Sequence, residues 1–466
     1  MKILFAASEI FPYAKSGGLG DVAQALPYAL NKHLDIVRVM PLYGFINKSL
    51  LQKNDLSFSV ELGENSHDIS IFTDEYNGVH TYFIDSCVFS ENEDFYTTKS
   101  GGYSNENPSF GLFCRAIVEL AKELHVDIVH LNDWHTALAA LWIKEQELNI
   151  KTVFTIHNLA YQGIFEKEIL KQLGIDEKYF TMQGLEFYDK VSFIKAGIAF
   201  SDLVTTVSPQ YSKEILTEQY GCGLHSFLSC HSKKLSGILN GIDYELFDPK
   251  TDTALESVFD SNKIELKNVN KKALLSELNL EDSNRATFVM VSRLVEQKGF
   301  GLLIDSLDKI LSKELNLVIL ADGAGTYKHK LENIAEMYEN FYLHLGYDED
   351  FSHRIYAGAD FLLMPSLFEP CGLNQMIAMR YGAVPIVHAV GGLLDTVHED
   401  DKECCGEGIV FSELSKEVFI SAIDRALDTY KDTKKMKNII RFNMSCDFSF
   451  DKSALLYSKL YNRLLT

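Results

Sequence analysis

Lysine, glycine and a carboxylate stand in close order in KSGGLGDV at residues 15–22. Gly18-x-Gly20-x-x-Ala23 fits the dinucleotide pattern G-x-G-x-x-G/A. In such a site the first glycine makes the strand-to-helix turn. Here the first strand is read to end near Ser8, and residues 9–17 intervene before Gly18. The second strand should close on an acid for a ribose hydroxyl. It closes on Val39-Met40-Pro41-Leu42. A nicotinamide site is therefore disfavoured. Two readings remain. One is a glycine turn that caps a helix. The other is an anion site, where helix-opening N–H groups and the Lys15 ammonium meet a phosphate.

A second cationic loop lies in VSRLVEQKG, with Arg293 at a strand end and Lys298 before Gly299 and a helix. Arginine forks onto phosphate oxygens and lysine adds compact charge. Either residue alone would read as a surface ion-pair partner. Two on one strand-to-helix loop of an acidic chain point to an anion. DGAG at 322–325 is a second, weaker glycine turn. FEPCGLNQ places Glu369 on a loop that opens a helix at Cys371-Gly372-Leu373. A carboxylate beside free N–H groups suits a polyol such as a sugar. HNLAYQG puts His157 and Asn158 at a strand end, and NDWH does the same for Asp133 and His135. A lone histidine is more often structural, but carboxyl ends of parallel strands gather functional groups. Asp348-Glu349-Asp350 is formally D-x-D and reads as a helix cap rather than a metal site.

These loops need strands and helices to hold them. Apolar, β-branched runs recur at 2–8, 37–42, 126–132, 152–158 and 203–208, then at 235–240, 287–293, 316–322, 342–346, 361–366 and 384–389. They read as buried parallel strands with helices between, an α/β fold. Residues 18–32, kinked at Pro27, and 300–311 have helical apolar faces. So many strands suit two doubly wound units with a boundary at 239–249. A single barrel is disfavoured by irregular spacing and by an insertion at about 50–115 holding antiparallel strands such as VHTYFIDS. Residues 254–285 read as polar helix packed on the outside.

The chain has 466 residues and a net charge of −21, which argues against binding nucleic acid or an anionic membrane. Its eight cysteines form no C-x-x-C pair and read as reduced thiols. No apolar run is long enough to span a membrane, and MKILFAASEIF reads as a strand, not a signal peptide. A cytoplasmic protein is expected.

Together the motifs resemble those of bacterial glycogen synthases and plant starch synthases. KSGGLGDV, DWH, HNLAYQG, VSRLxxQKG, YAGADFLLMPSLFEPCGL, YGAVPIV, GGLxDTV and the closing DFSFDKSALLYSKLYNRLL follow the family's order. The resemblance implies the GT-B arrangement, two Rossmann-like domains facing across a cleft that closes to assemble the site. The domains would be 1–240 on the acceptor side and 241–447 on the donor side, with a helix at 448–466 returning to the first. It implies retaining transfer of glucose from ADP-glucose, with UDP-glucose the other donor to consider. The acceptor would be the non-reducing 4-hydroxyl end of an α-1,4-glucan such as glycogen. No metal or cofactor is expected. Lys15, Arg293 and Lys298 would contact the donor diphosphate, with Gly18 bringing backbone close. Glu369 and the amides of Cys371, Gly372 and Leu373 would hold the donor glucose. His157 would lie beside the reacting face. Asp133 would orient the acceptor, Asp21 and Asn158 would shape its pocket, and Tyr96 would join the acceptor side.

Some positions depart from the family's pattern. Ser16 replaces threonine or valine. Asn374 replaces threonine, with an amide expected to reach the phosphates. Ile377 stands where many GT-B enzymes have a ribose-binding glutamate, and the 90–110 loop lacks an expected arginine. A catalytically silent glucan- or nucleotide-sugar-binding protein is the main alternative. Retention of Lys15, Arg293, Lys298 and Glu369 argues against it. A GT-B phosphorylase would need a pyridoxal-binding lysine and a longer chain.

Overall fold

The computed structural model describes residues 1–90, 109–282, 284–323, 325–346, 348–399 and 406–466. The chain forms two compact units, Met1–Gly241 with Phe450–Thr466, and Ile242–Ser449.

The first unit is built on β1 (Lys2–Ala6), β2 (Asp35–Pro41), β3 (Gln52–Leu62), β4 (Asn65–Tyr76), β5 (Val79–Asp85), β6 (Ile128–Asn132), β7 (Lys151–Ile156), β8 (Leu203–Thr206) and β9 (Leu235–Gly237). Their order in the sheet is β9-β8-β7-β6-β1-β2-β5-β4-β3. β6 is buried at every position and β1 at all but its first, as expected of strands covered on both faces. From β1 the chain winds through β2 to β5. It then returns to pair β6 on the other side of β1 and continues outward. That reversal is a topological switch point, where loops at the carboxyl ends part and leave a crevice.

The helix α1 (Gly18–Asn31) runs through Pro27 without a break, so the expected kink interrupts nothing. VHTYFIDS needs a larger correction. β5 pairs parallel with β2 as well as antiparallel with β4, so it belongs to the main sheet. The run at 235–240 is shorter than expected and forms the edge of this sheet. A small antiparallel sheet of Ile164–Phe165, Glu186–Phe187 and Lys190–Ser192 was not foreseen, because strands of two or three residues carry no readable alternation.

The second unit carries β10 (Ala286–Arg293), β11 (Leu315–Asp322), β12 (Phe341–Leu345), β13 (Phe361–Met364), β14 (Val384–His388) and β15 (Ile409–Phe411). They are parallel, in the order β12-β11-β10-β13-β14-β15, with the switch point between β10 and β13. Residues 254–285 are not an outer polar helix. Among its described residues only α2 (Lys267–Glu277) is α-helical, and Lys267, Asn270, Lys271, Leu274 and Leu275 are buried. The Lys267 ammonium donates to the carbonyls of Tyr356, Ala357 and Tyr381 at 3.2, 2.8 and 2.8 Å. Lys271 pairs with Asp360 at 2.6 Å. Long lysine stems pack like aliphatic side chains once their heads find partners. A reading by polarity alone puts them outside.

The last helix, α3 (Phe450–Leu465), belongs to the first unit. Phe450, Ala454, Tyr457, Leu460 and Tyr461 join the apolar cluster of Ile3, Phe5 and Leu26. Each large apolar side chain buried there contributes roughly 1.5–3 kcal/mol. The Tyr461 hydroxyl meets His130 Nδ1 at 2.6 Å, and His130 Nε2 meets the Thr155 hydroxyl at 2.6 Å.

Candidate active site

In the first unit, the loop from β1 to α1 lies at the switch point. Its carboxylate Glu9 is buried and accepts from the Ser16 N–H and hydroxyl, each at 2.6 Å. The Phe11 N–H donates to the Gly20 carbonyl at 3.2 Å. A Cβ at Gly20 would stand 3.2 Å from both the Ala14 carbonyl oxygen and the Lys15 Cβ, so this close crossing favours glycine. Lys15 Nζ lies 2.8 Å from Asp21 Oδ1 and over the Phe11 ring at 5.6 Å. The capping residue Gly17 has no side chain to satisfy the first-turn N–H groups, which begin at Gly18. That helix end is positively polarised beside Lys15.

Asp133 follows β6, across the switch point, with φ 57° and ψ 178°. That backbone region is essentially glycine's and costs a non-glycine residue about 1–3 kcal/mol. The strain is held by bonds. The Asp133 N–H donates to the Thr155 carbonyl at 2.9 Å, and Asp133 Oδ1 accepts from the His157 N–H at 2.8 Å. The Asn158 N–H bonds the same carboxyl. Burial raises the Asp133 pKa to about 7, against the two N–H bonds and with help from the Glu9 charge. Burial also lowers the His157 pKa to about 3, so its ring is neutral. His157 Nε2 lies 2.9 Å from Asn132 Oδ1, and the Asn132 Nδ2 donates to the Ala6 carbonyl at 2.9 Å. Nε2 is therefore the donor and Nδ1 the acceptor nitrogen of the imidazole. Asn158 Oδ1 accepts from the Ala160 N–H at 3.1 Å and shapes its own turn.

In the second unit, Arg293 ends β10. Its exposed guanidinium has no hydrogen-bond or ion-pair partner among the described residues. One 3-10 turn, Glu296–Lys298, leads through Gly299 into α-helix Phe300–Leu311. Gly299 has φ +77°, and a Cβ there would stand 1.9 Å from the Pro365 carbonyl oxygen. Only glycine lets this turn meet the loop after β13. Across that contact Lys298 Nζ reaches Glu369 Oε2 at 2.6 Å, and the Ser366 hydroxyl donates to the same oxygen at 3.1 Å. Glu369 is 5% exposed. Backbone bonds from Leu367 to Gln297 and from Gly392 to Glu369 fix the loop on both sides.

Cys371, Gly372 and Leu373 lead into the helix Asn374–Arg380. A Cβ at Gly392 would stand 2.2 Å from the Cys371 carbonyl oxygen, so the helix Gly391–Thr396 presses on that loop. Gln375 Nε2 donates to the Gly372 carbonyl at 2.8 Å and the Thr396 hydroxyl at 3.0 Å. Asn374 Nδ2 donates to the Val291 carbonyl, so that nitrogen braces the helix against β10. Asp348 caps its helix by accepting from the Phe351 N–H at 2.8 Å.

The structure thus gathers Lys15 with Asp21, Asp133 with His157 and Asn158, and Lys298 with Glu369 and the loop 371–374. Tyr96 lies outside the described residues. Sequence reading missed Glu9, Asn132, Ser366 and Gln375, whose partners are set by chain crossings that spacing does not encode. Among the described residues, no group of three or more His, Cys, Asp or Glu is disposed to hold a metal ion. No helix of the described residues is long and apolar enough to cross a membrane.

Known proteins resemble this chain over its whole length. The family model of the starch synthase catalytic domain matches residues 2–230, and that of glycosyl transferases group 1 matches 272–441. Glycogen synthases of Caldicellulosiruptor bescii and Aquifex aeolicus are 41% and 40% identical, over 100% of this chain and 100% and 99% of theirs. The catalytic domain of starch synthase IV from Arabidopsis thaliana, solved with ADP and acarbose, superposes with TM-score 0.91 at 33% identity, over 99% of both chains. Sucrose-phosphate synthase from Thermosynechococcus elongatus, 18% identical, superposes with TM-score 0.64 over 100% of this chain and 99% of its own. It shares the fold.

Proposed function

The chain belongs to the glycogen synthase and starch synthase family of glycosyltransferases, and from that premise we propose how its residues divide the work. The enzyme transfers glucose from ADP-glucose, with retention, to the non-reducing 4-hydroxyl of an α-1,4-glucan such as glycogen. ADP is bound in the starch synthase IV structure, which supports ADP-glucose over UDP-glucose as the donor. Cleavage places charge on the departing diphosphate, and preorganised cations aimed at it lower that barrier. Lys15, Arg293 and Lys298 take this role, with the backbone at Gly18 and the side chain of Asn374 beside the phosphates. No metal is assigned to it.

Glu369 accepts hydroxyls of the donor glucose while the amides of Cys371, Gly372 and Leu373 donate to it. His157 stands at the reacting face as a neutral imidazole. Asp133 orients the acceptor hydroxyl, and Asp21, Asn158 and Tyr96 complete the acceptor side. We assign the reaction to the cytoplasm. The observation that carries this reading is the Lys298–Glu369 pair at the switch point, 2.6 Å apart with its carboxylate buried, and Arg293 without a side-chain partner among the described residues on the same loop system.

The test is to incubate the protein with glycogen and either ADP-glucose or UDP-glucose and to measure nucleoside diphosphate release. Release from ADP-glucose well above that from UDP-glucose is expected. Release from neither donor would leave the silent binding protein as the better account.

A further inference from the structure

We propose that Glu9 is the positioning residue for Lys15: its carboxylate grips Ser16 twice and fixes the backbone that carries the lysine. This rests on the assignment of Lys15 to the donor diphosphate. Oε2 accepts the Ser16 N–H and Oε1 the Ser16 hydroxyl, both at 2.6 Å. Two bonds from one carboxylate to one residue set orientation as well as position, as a bidentate fork does. Glu9 is 3% exposed, so the accepting carboxylate is largely withdrawn from water, which strengthens a charge-assisted bond.

The loop needs such a grip. Residues 10–14 are closed on themselves by the Tyr13 and Ala14 N–H groups, both bonded to the Ile10 carbonyl at 3.0 Å. Gly20 is fixed by the Phe11 N–H. Lys15 and Ser16 lie between these anchors, followed by Gly17 and Gly18, whose backbones are the least restrained of any residue type. Nothing lies within 4 Å of a Cβ built on Gly17, so packing does not hold that end. A cation displaced by about 1 Å from a developing charge can lose on the order of a hundredfold in rate. In this proposal Glu9 acts on the diphosphate through the lysine, by way of its two bonds to Ser16. The hydroxyl of Ser16 has a use that valine at that position could not supply.

The experiment uses the full chain with ADP-glucose and glycogen. Steady-state constants and thermal midpoints are measured for Ser16→Ala, Ser16→Thr, Glu9→Gln and Glu9→Ala, each also combined with Lys15→Ala. Ser16→Ala removes one of the two bonds at an exposed position, so folding is not at risk. It is expected to lower kcat about tenfold, the scale of one charge-assisted hydrogen bond, with the glucan KM and midpoint unchanged. Ser16→Thr and Glu9→Gln, which can keep both bonds, are expected within a few-fold of the parent, and Glu9→Ala about a hundredfold below it. On the Lys15→Ala background, Ser16→Ala is expected to cost nothing further.

A parental kcat for Ser16→Ala, or an equal loss with and without Lys15, would overturn the proposal. A crippled Lys15→Ala beside a parental Ser16→Ala sinks this proposal alone. A parental rate for Lys15→Ala sinks both the diphosphate assignment and the proposal built on it.

Discussion

At the scale of the residue, the chemistry is concentrated in two buried carboxylates with different environments. Glu369 is ion-paired to Lys298. Removing either partner leaves the other's charge uncompensated and, on the proposed assignment, removes a donor contact. Lys298→Ala and Glu369→Ala are each expected to lower turnover by at least about a hundredfold, measured as initial rates of ADP release by variants that circular dichroism shows to be folded. Near-parental rates would remove these residues from the mechanism. Asp133 has no such cation among the described residues, and burial raises its pKa to about 7 from an ordinary 3.8. Between those values the folded chain keeps a proton that the unfolded chain has released. Stability contributed by this group therefore falls as pH rises through the window, by about 1.4 kcal/mol per pH unit. Asp133→Asn cannot ionise. Its thermal midpoint relative to the parent should rise steadily from pH 5 to pH 7 and level off above, whereas a constant difference would refute the raised pKa. Lys15, Lys298 and Glu369 were legible because charge beside glycine or proline on a loop is rare without a use. Glu9 and Ser366 were not, since a lone acid or serine gains meaning only from what folding brings against it.

At the scale of the element, glycines decide how closely the site's loops approach. The helix at 391–396 meets the Glu369 loop only because Gly392 has no Cβ. Gly392→Ala must push back the backbone of Cys371 and with it the amides proposed to hold the donor glucose. It is expected to lower kcat/KM for ADP-glucose about tenfold or more while the fold persists. A rate equal to the parent's would mean that the loop does not need this contact. The C-terminal helix α3 holds the opposite lesson. Tyr461→Phe removes the partner of His130 Nδ1 inside the first unit's core. Stability in urea should fall by about 1–3 kcal/mol, the penalty of a buried group left unpaired, with no change in the KM for ADP-glucose. The long buried strands were readable because both faces are covered and their apolar runs are continuous. β15, the strands of the small antiparallel sheet and the parallel pairing of β5 were not. Short strands carry no period, and the direction of pairing is fixed by the crossover rather than by the residues paired. The burial of Lys267 and Lys271 was misread because composition records their charged heads and not their apolar stems.

At the scale of the whole molecule, both units use one device: a sheet whose strand order reverses beside its first strand, with charged and glycine-rich loops at the carboxyl ends. Lys15 and Asp133 flank the reversal in the first unit, and Arg293, Lys298 and Glu369 flank it in the second. That order could not be read from strand count, because the chain's return across β1 and β10 leaves no mark in local pattern. The motif order did carry the family, since eight spaced motifs agree over the full length. The central claim is that these loops build glucan from ADP-glucose. It is tested most directly by supplying a short α-1,4-linked oligosaccharide and ADP-glucose labelled in the sugar, then following the anomeric signals by NMR while ADP is counted. One new α-1,4 linkage at the non-reducing end is predicted for each ADP released. ADP without chain growth, a β-linked product, or no reaction at all would contradict the account.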